Sequence, residues 1–214
     1  FGAEFMRMDN NPAVKSIVIE AHSPGGQVFG TQELSDLIFA ARERNRTRIV
    51  AAVNSMSASA ALWAPSAAHE VPVTPGGTMC SIGVSTFHRD VSGAEEQMGV
   101  KTTIMSIPEK KTEGHSFAPL SEEARDNALS KIAHTYRKFV DAMARNRGVS
   151  AETVESDFGG GDMLEADDAV NMGLADSIAT KNDVIAEEVA MLRQTGRSGT
   201  ARRNARALRL AQST

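Results

Sequence analysis

Ser59 lies in the run Ser57-Ala58-Ser59-Ala60-Ala61-Leu62, where small residues crowd between a β-branched stretch and an apolar one. A hydroxyl at such a strand-to-helix passage has the setting of a nucleophile elbow, which needs a sharp turn and small neighbours so that a substrate can approach. The start of the following helix favours developing negative charge, and the Ala60 N–H is a candidate oxyanion donor. The ordinary alternative is a serine that only caps a helix. By composition, Ser55 and Ser57 are rival nucleophiles. A second anion-stabilising element is Ser23-Pro24-Gly25-Gly26. Two glycines allow close backbone approach and can turn N–H groups outward towards an oxyanion. A plain tight turn uses the same residue types.

A serine nucleophile needs a base. The histidines are His22, His69, His88, His115 and His134, and none sits in a triad motif. His88, in an extended segment beyond Ser59, is the histidine candidate, whereas His134 falls among Lys131 and Lys138 on a helix surface. Lys110 and Lys111 occupy a polar loop, Ile107-Pro-Glu-Lys-Lys-Thr-Glu-Gly114. A lysine acts as a base only where desolvation favours its neutral form, and the residues alone do not show such burial.

The elements that must position these groups alternate. Val14–Glu20 and Arg48–Val53 read as short buried strands, and residues 31–44 between them place Leu34, Leu37, Ile38 and Ala41 on one helical face. Glu70–Val73 and Val100–Met105 read as further strands, and Ser81–Phe87 as an extended continuation after Gly76-Gly77. Residues 121–147 form the clearest helix. Ser121 is its cap, Glu122 and Glu123 suit its first turn, and Gly148 stops it. Its apolar stripe is Leu129, Ile132, Tyr136, Phe139, Val140 and Met143. Strands alternating with helices imply an α/β fold with parallel βαβ units and a sheet covered on both faces.

Composition narrows the chemistry. The chain has 214 residues, a formal net charge of -4, 41% hydrophobic residues and 5% aromatics. That length supports a core without metal or disulfide staples. The single cysteine, Cys80, excludes an internal disulfide and a cysteine-built zinc cluster. No metal or organic cofactor is suggested. There is no apolar run long enough for a membrane span, and Phe1–Phe5 lacks the pattern of a signal peptide and reads as a cut end. Charge is unevenly placed. Residues 189–214 carry Arg193, Arg197, Arg202, Arg203, Arg206 and Arg209 and no acid. We therefore divide the chain into a domain over 1–185 and a basic, flexible extension over 186–214. Its composition reads as solvated, with contact to nucleic acid or an acidic partner as the sharper alternative.

These pieces, in this order, resemble the S49 peptidase family, which includes bacterial signal peptide peptidases and phage capsid assembly proteases. The resemblance runs from about Asn10 to about Ile178. Val14–Gly26 looks like the family's first glycine motif. Ala58–Ala64 aligns with its Ala-Ser-Gly-Gly-Tyr-Tyr-hydrophobic-Ala segment, and Ser81-Ile-Gly-Val84 with its Gly-Ser-Ile-Gly-Val. Glu109–Gly114 with Phe117 and Pro119-Leu-Ser121 matches the loop carrying the family's lysine, and Gly173-Leu-Ala-Asp176 its closing motif. The resemblance implies a Ser/Lys dyad, with Ser59 as nucleophile and Lys111 as general base, and Lys110 falls where an aromatic or histidine is common. Gly25, Gly26 and Ala60 then form the oxyanion hole. It also implies a ClpP/crotonase-like fold, repeated ββα units around a mainly parallel sheet, a protein or peptide substrate, and homo-oligomers.

The sequence departs from that pattern in places. Ala60 and Ala61 replace two glycines, Cys80 stands where glycine is usual, and opening strands expected before about residue 5 are missing. Residues 88–94 and 99–103 are most similar to the phage capsid-protease branch. This implies processing of capsid or scaffold proteins during head maturation, in the host cytoplasm or prohead. The competing readings are a signal-peptide-peptidase-like bacterial protease, a ClpP-like Ser/His enzyme using His88, and a non-catalytic assembly module.

Overall fold

The computed structural model describes residues 1–194, so most of the basic extension lies outside the described residues. The described residues divide into two compact units, one of residues 1–82 and 140–194 and one of residues 83–139.

The first unit is mixed α/β with a mainly parallel six-stranded sheet. A short helix, α1 (Gly2–Asn10), precedes β1 (Ser16–Ser23). Ile17, Ile19 and Ala21 of β1 are buried, the period-two pattern of a strand with one inward face. Helix α2 (Thr31–Arg44) crosses back and buries Ser35, Ile38 and Ala41. It ends at Asn45, whose left-handed φ of 49° suits a helix C-terminus. The long strand β2 (Arg48–Ala58) pairs in parallel with β1, from Ser16 opposite Arg48 to Ala21 opposite Val53. Ile49–Val53 are all buried, as expected for a strand covered on both faces.

The second half of β2 changes partners. Val53 pairs with Val73 of β3 (Pro72–Val73), whereas Met56–Ala58 pair with β4 (Thr78–Cys80). The expected strand at Glu70–Val73 is thus shorter, with Glu70 forming an isolated bridge to Val50. Beyond β4, β5 (Met163–Glu165) adds the one antiparallel ladder, and β6 (Ser177–Ile178) joins β3. The connecting helices are α3 (Ala60–Trp63), α6 (Ala151–Asp157) and α7 (Ala166–Asn171). Residues 181–194 are helical, so part of the segment expected as extension is ordered helix. Buried Glu188 on that helix accepts from Ser16 Oγ at 2.6 Å and Arg48 Nε at 2.8 Å, which ties it to the starts of β1 and β2.

The closing motif is structural in this unit. Asp176 accepts the Val71 N–H at 2.7 Å and pairs with Arg147 at 2.7 Å, and Arg147 also donates to Gly173 O. One carboxylate therefore joins the β3 entry to the end of α5 (Glu122–Arg147).

The second unit has no strand among the described residues. It holds α4 (Ser92–Gln97), a 3-10 turn over Glu109–Thr112, and α5 up to Phe139. Helix α5 begins as expected: Ser121 Oγ accepts the Ala124 N–H at 3.2 Å, and Gly148 follows its end with φ 69°. Its stripe is buried at Phe139, Val140 and Met143, but Leu129 is 45% exposed. The strand expected over Val100–Met105 does not form. Its residues suit a pleated, half-buried surface, but they have no ladder partner, and Met105 is 89% exposed. The extended run expected from Ser81 is interrupted at its start, because Cys80 and Ser81 take φ 108° and 54°. Among the described residues, no helix is long and apolar enough to cross a membrane.

Candidate active site

Ser59 sits between the end of β2 and the start of α3 with φ 51° and ψ -131°. For a residue with a Cβ this is a strained region, costing about 1–3 kcal/mol, and it persists only where the surroundings hold it. Several bonds do so. The Ser59 N–H donates to Cys80 O at 2.8 Å, continuing the β2–β4 ladder one residue beyond Ala58. The Ser59 carbonyl accepts from Leu62 N at 2.9 Å and closes the first turn of α3. Behind α3, buried Asn146 donates to Ser35 Oγ and Ser66 Oγ, each at 2.9 Å, linking α2, α5 and the segment after α3. The Ser59 side chain makes no cap bond. Ser59 thus stands at the N-cap position of α3, but its hydroxyl is not spent on capping the helix.

The rival serines are placed differently. Ser57 is fully buried, and its hydroxyl donates to Ala61 O at 3.2 Å. Ser55 is exposed with φ 75°. It lies where the β1–β2 register shifts, since Ala21 faces Val53 but Ser23 faces Ser57. That bulge, a feature common next to active sites, leaves Ser23 opposite Ser57 near the end of β2. No pattern in the residues signalled it.

Gly25 comes up against Ser59. A Cβ built on Gly25 would lie 2.8 Å from Ser59 Cβ and 3.1 Å from Ala58 O, and its φ is 115°. Only glycine therefore fits there without displacing the serine. The Gly25 N–H donates to Ser23 Oγ at 3.2 Å. Among the described residues, the N–H groups of Gly26 and Ala60 donate to no acceptor. Gly26 has open space around it. The first unit thus brings together Ser59, Gly25 and Ala60, with Gly26 next in the chain.

Cys80 is the second strained residue of this corner. It is fully buried, its thiol donates to Phe158 O at 2.9 Å, and burial pushes that thiol up. Its φ of 108° is one that glycine adopts freely and a residue with a Cβ adopts only under strain.

The base candidates all lie in the second unit. Lys111 is exposed on the 3-10 turn, while Lys110 pairs with Glu123 at 2.5 Å. That partner holds the Lys110 ammonium above its ordinary range. His88 Nε2 lies 2.9 Å from His115 O, so a proton on that nitrogen would be donated to the carbonyl. Lys111 and His88 therefore belong to a different unit from Ser59. Among the described residues, no group of three or more His, Cys, Asp or Glu side chains is placed to hold a metal ion.

Comparison with known proteins places this site in context. Residues 41–194 match Peptidase family S49. The chain belongs to that family. The matched region includes Ser59, Cys80 and Lys111, and begins after the Gly25-Gly26 turn. The chain is 29% identical over 187 residues to the head-tail preconnector protein GP5 of Enterobacteria phage P21, covering 87% of this chain and 36% of that protein. It is 28% identical over 183 residues to capsid assembly protease C of Escherichia phage lambda, covering 86% and 41%. Protease 4 of Salmonella typhi is 27% identical over 195 residues, covering 86% and 30%. The chain thus spans well under half the length of each of these S49 relatives.

Proposed function

We propose that this chain is a serine endopeptidase that works through a Ser59/Lys111 dyad and processes capsid or scaffold proteins during phage head maturation. The observation that carries the reading is the strained Ser59 at the β2–α3 junction, with the bare Gly25 Cα against its side chain. Membership of the S49 family and the phage proteins among the relatives support it.

In this mechanism the neutral amine of Lys111 takes the proton from Ser59 Oγ as that oxygen attacks a peptide carbonyl. The tetrahedral oxyanion is held by the Gly26 and Ala60 N–H groups, the two that are unengaged here. Gly25 supplies clearance and shapes the turn. Collapse breaks the C–N bond, and the Lys111 ammonium returns its proton to the leaving amine. Water then attacks the acyl-enzyme, with Lys111 again as base, and Ser59 is released. A lysine base works only when desolvated, and the bound peptide would provide that desolvation. The Ser/Lys pair is a variant of the triad logic that needs no cofactor.

The same reading assigns the fold to the ClpP/crotonase type, with repeated ββα units, and expects homo-oligomers. It leaves nucleic-acid contact to the arginines beyond residue 194.

The test is labelling of the purified chain with a fluorophosphonate, the adduct being located by peptide mass spectrometry. A Ser59 adduct that is lost in Lys111→Ala and kept in His88→Ala supports the dyad. Loss in His88→Ala with retention in Lys111→Ala would replace it with a Ser/His pair. Absence of any serine adduct would favour a non-catalytic assembly module.

A further inference from the structure

Ser57, two residues before Ser59, takes no part in the proton transfers of the Ser59/Lys111 reaction. It is fully buried, and its main chain is held from both sides of the sheet, opposite Ser23 of β1 and Met79 of β4. Its hydroxyl leaves the strand and donates to Ala61 O at 3.2 Å. The bond joins the end of β2 to the first turn of α3, and Ser59 and Ala60 lie inside the loop it closes.

Ala61 O takes a side-chain donor because of Pro65. In a continuing α-helix the carbonyl of residue 61 accepts the N–H of residue 65. Proline has no N–H, and its ring crowds the carbonyl four residues earlier. The chain nonetheless keeps winding: Ala64 has φ -72° and ψ -47°, and Pro65 opens the 3-10 turn Pro65–Ala67. Ser57 Oγ–H supplies from the strand the donor that Pro65 lacks.

What Ser57 holds leads directly to the oxyanion site. A peptide unit is planar, so fixing its carbonyl also fixes its N–H. The Ala61 carbonyl shares a peptide plane with the Leu62 N–H, which donates to Ser59 O at 2.9 Å. The Ser59 carbonyl in turn shares a plane with the Ala60 N–H, which donates to no acceptor among the described residues. Two planar units in series therefore run from the buried hydroxyl to the open amide. Hydrogen bonds linked in this way also polarise one another, which strengthens the last donor of the chain.

We infer that Ser57 is a positioning residue, aiming the Ala60 N–H at the oxyanion through Ala61 O, Leu62 N and Ser59 O. The inference rests on Ser59 as the nucleophile and Ala60 as an oxyanion donor. Removing an oxyanion donor outright slows a reaction about 100- to 1000-fold. Ser57→Ala leaves the donor present but loosely aimed, so a smaller loss is expected.

The experiment is a double-mutant cycle on the full 214-residue chain with Ser57→Ala and Pro65→Ala. The probe is a fluorophosphonate, and Ser59 adduct formation is timed by peptide mass spectrometry over a range of probe concentrations. Urea unfolding confirms that each variant is folded at the assay temperature. Ser57→Ala should lower the maximal labelling rate about 10-fold and leave the half-saturating probe concentration unchanged. Pro65→Ala restores an N–H four residues after Ala61, so in that background Ser57→Ala should cost less than about threefold. A purely structural role would lower the urea midpoint without this split and without this dependence on Pro65. If Ser57→Ala does not fold, Ser57→Cys, a weaker donor of nearly the same shape, is read in the same way. An unchanged maximal rate in the folded variant, or an equal loss in the Pro65 and Pro65→Ala backgrounds, would overturn the positioning role and leave the nucleophile standing. No Ser59 adduct in the unsubstituted chain would overturn both.

Discussion

The nucleophile and its expected base sit in regions built on opposite principles. Ser59 ends the central strand of a sheet, with the fully or nearly fully buried Ile49–Val53 behind it and three parallel partners along its length. Its strained backbone is held by ladder and turn bonds on both sides. Lys111 belongs to residues 83–139, where no strand forms among the described residues and large apolar groups stand in solvent. Phe87 is 88% exposed, Met105 89% and Ile107 96%. That unit is tied internally by scattered bonds such as Val91 N to Ser116 O at 2.7 Å and Asn127 Nδ2 to Glu113 Oε1 at 2.9 Å. The difference teaches a division of labour. A reactive serine must be held within a fraction of an ångström, which a rigid ladder provides. Recognition surfaces and loops need exposed groups, and low local packing density goes with lower local stability.

The sharpest way to break this comparison is to truncate one apolar side chain in each unit. Leu174, fully buried in the first unit, should cost about 2–5 kcal/mol as Leu174→Ala. Ile107→Ser should stay within about 0.5 kcal/mol, as at other exposed positions. Equal losses in urea unfolding would contradict the contrast. Next is the serine corner itself. Gly25→Ala drives a methyl into Ser59 and should slow fluorophosphonate labelling by about 100-fold, a loss of about 2.7 kcal/mol of transition-state stabilisation. Unchanged labelling would mean that the Gly25–Ser59 contact does not control the nucleophile. The smallest effect concerns Lys110. Its pair with Glu123 is exposed on both sides, so Lys110→Ala should leave the urea unfolding midpoint and Ser59 labelling essentially unchanged. A large loss of labelling would move the base from Lys111 to its neighbour.

Several elements were legible in the residues because their causes are local. Helix α2 carries its apolar spacing over 31–44, and α5 carries Ser121, its first-turn acids and Gly148. The β1–α2–β2 unit follows from two β-branched runs flanking an amphipathic helix. Ser59 was legible as a candidate because small residues cluster around it, and Gly25 because two glycines close a turn.

Other features depend on distant partners and had no local signal. Val100–Met105 has a strand-like composition, but a strand exists only as a member of a ladder, and no partner reaches it. Tertiary packing also separates Ser57 from Ser59, burying one hydroxyl against Ala61 O and leaving the other half-buried without a cap bond. Cys80 has a φ of 108° and gives its carbonyl to Ser59 N, a partner 21 positions earlier in the chain. The sequence by itself determined the residue types, the small-residue corner and the order of motifs that mark the S49 family. Only the tertiary structure decided which serine hydroxyl is buried and bonded and which amides are unengaged. The physical reason is that hydrogen-bond partners and packed walls come from residues far apart in the chain, as Ser59 N and Cys80 O do, and become neighbours only when the sheet forms.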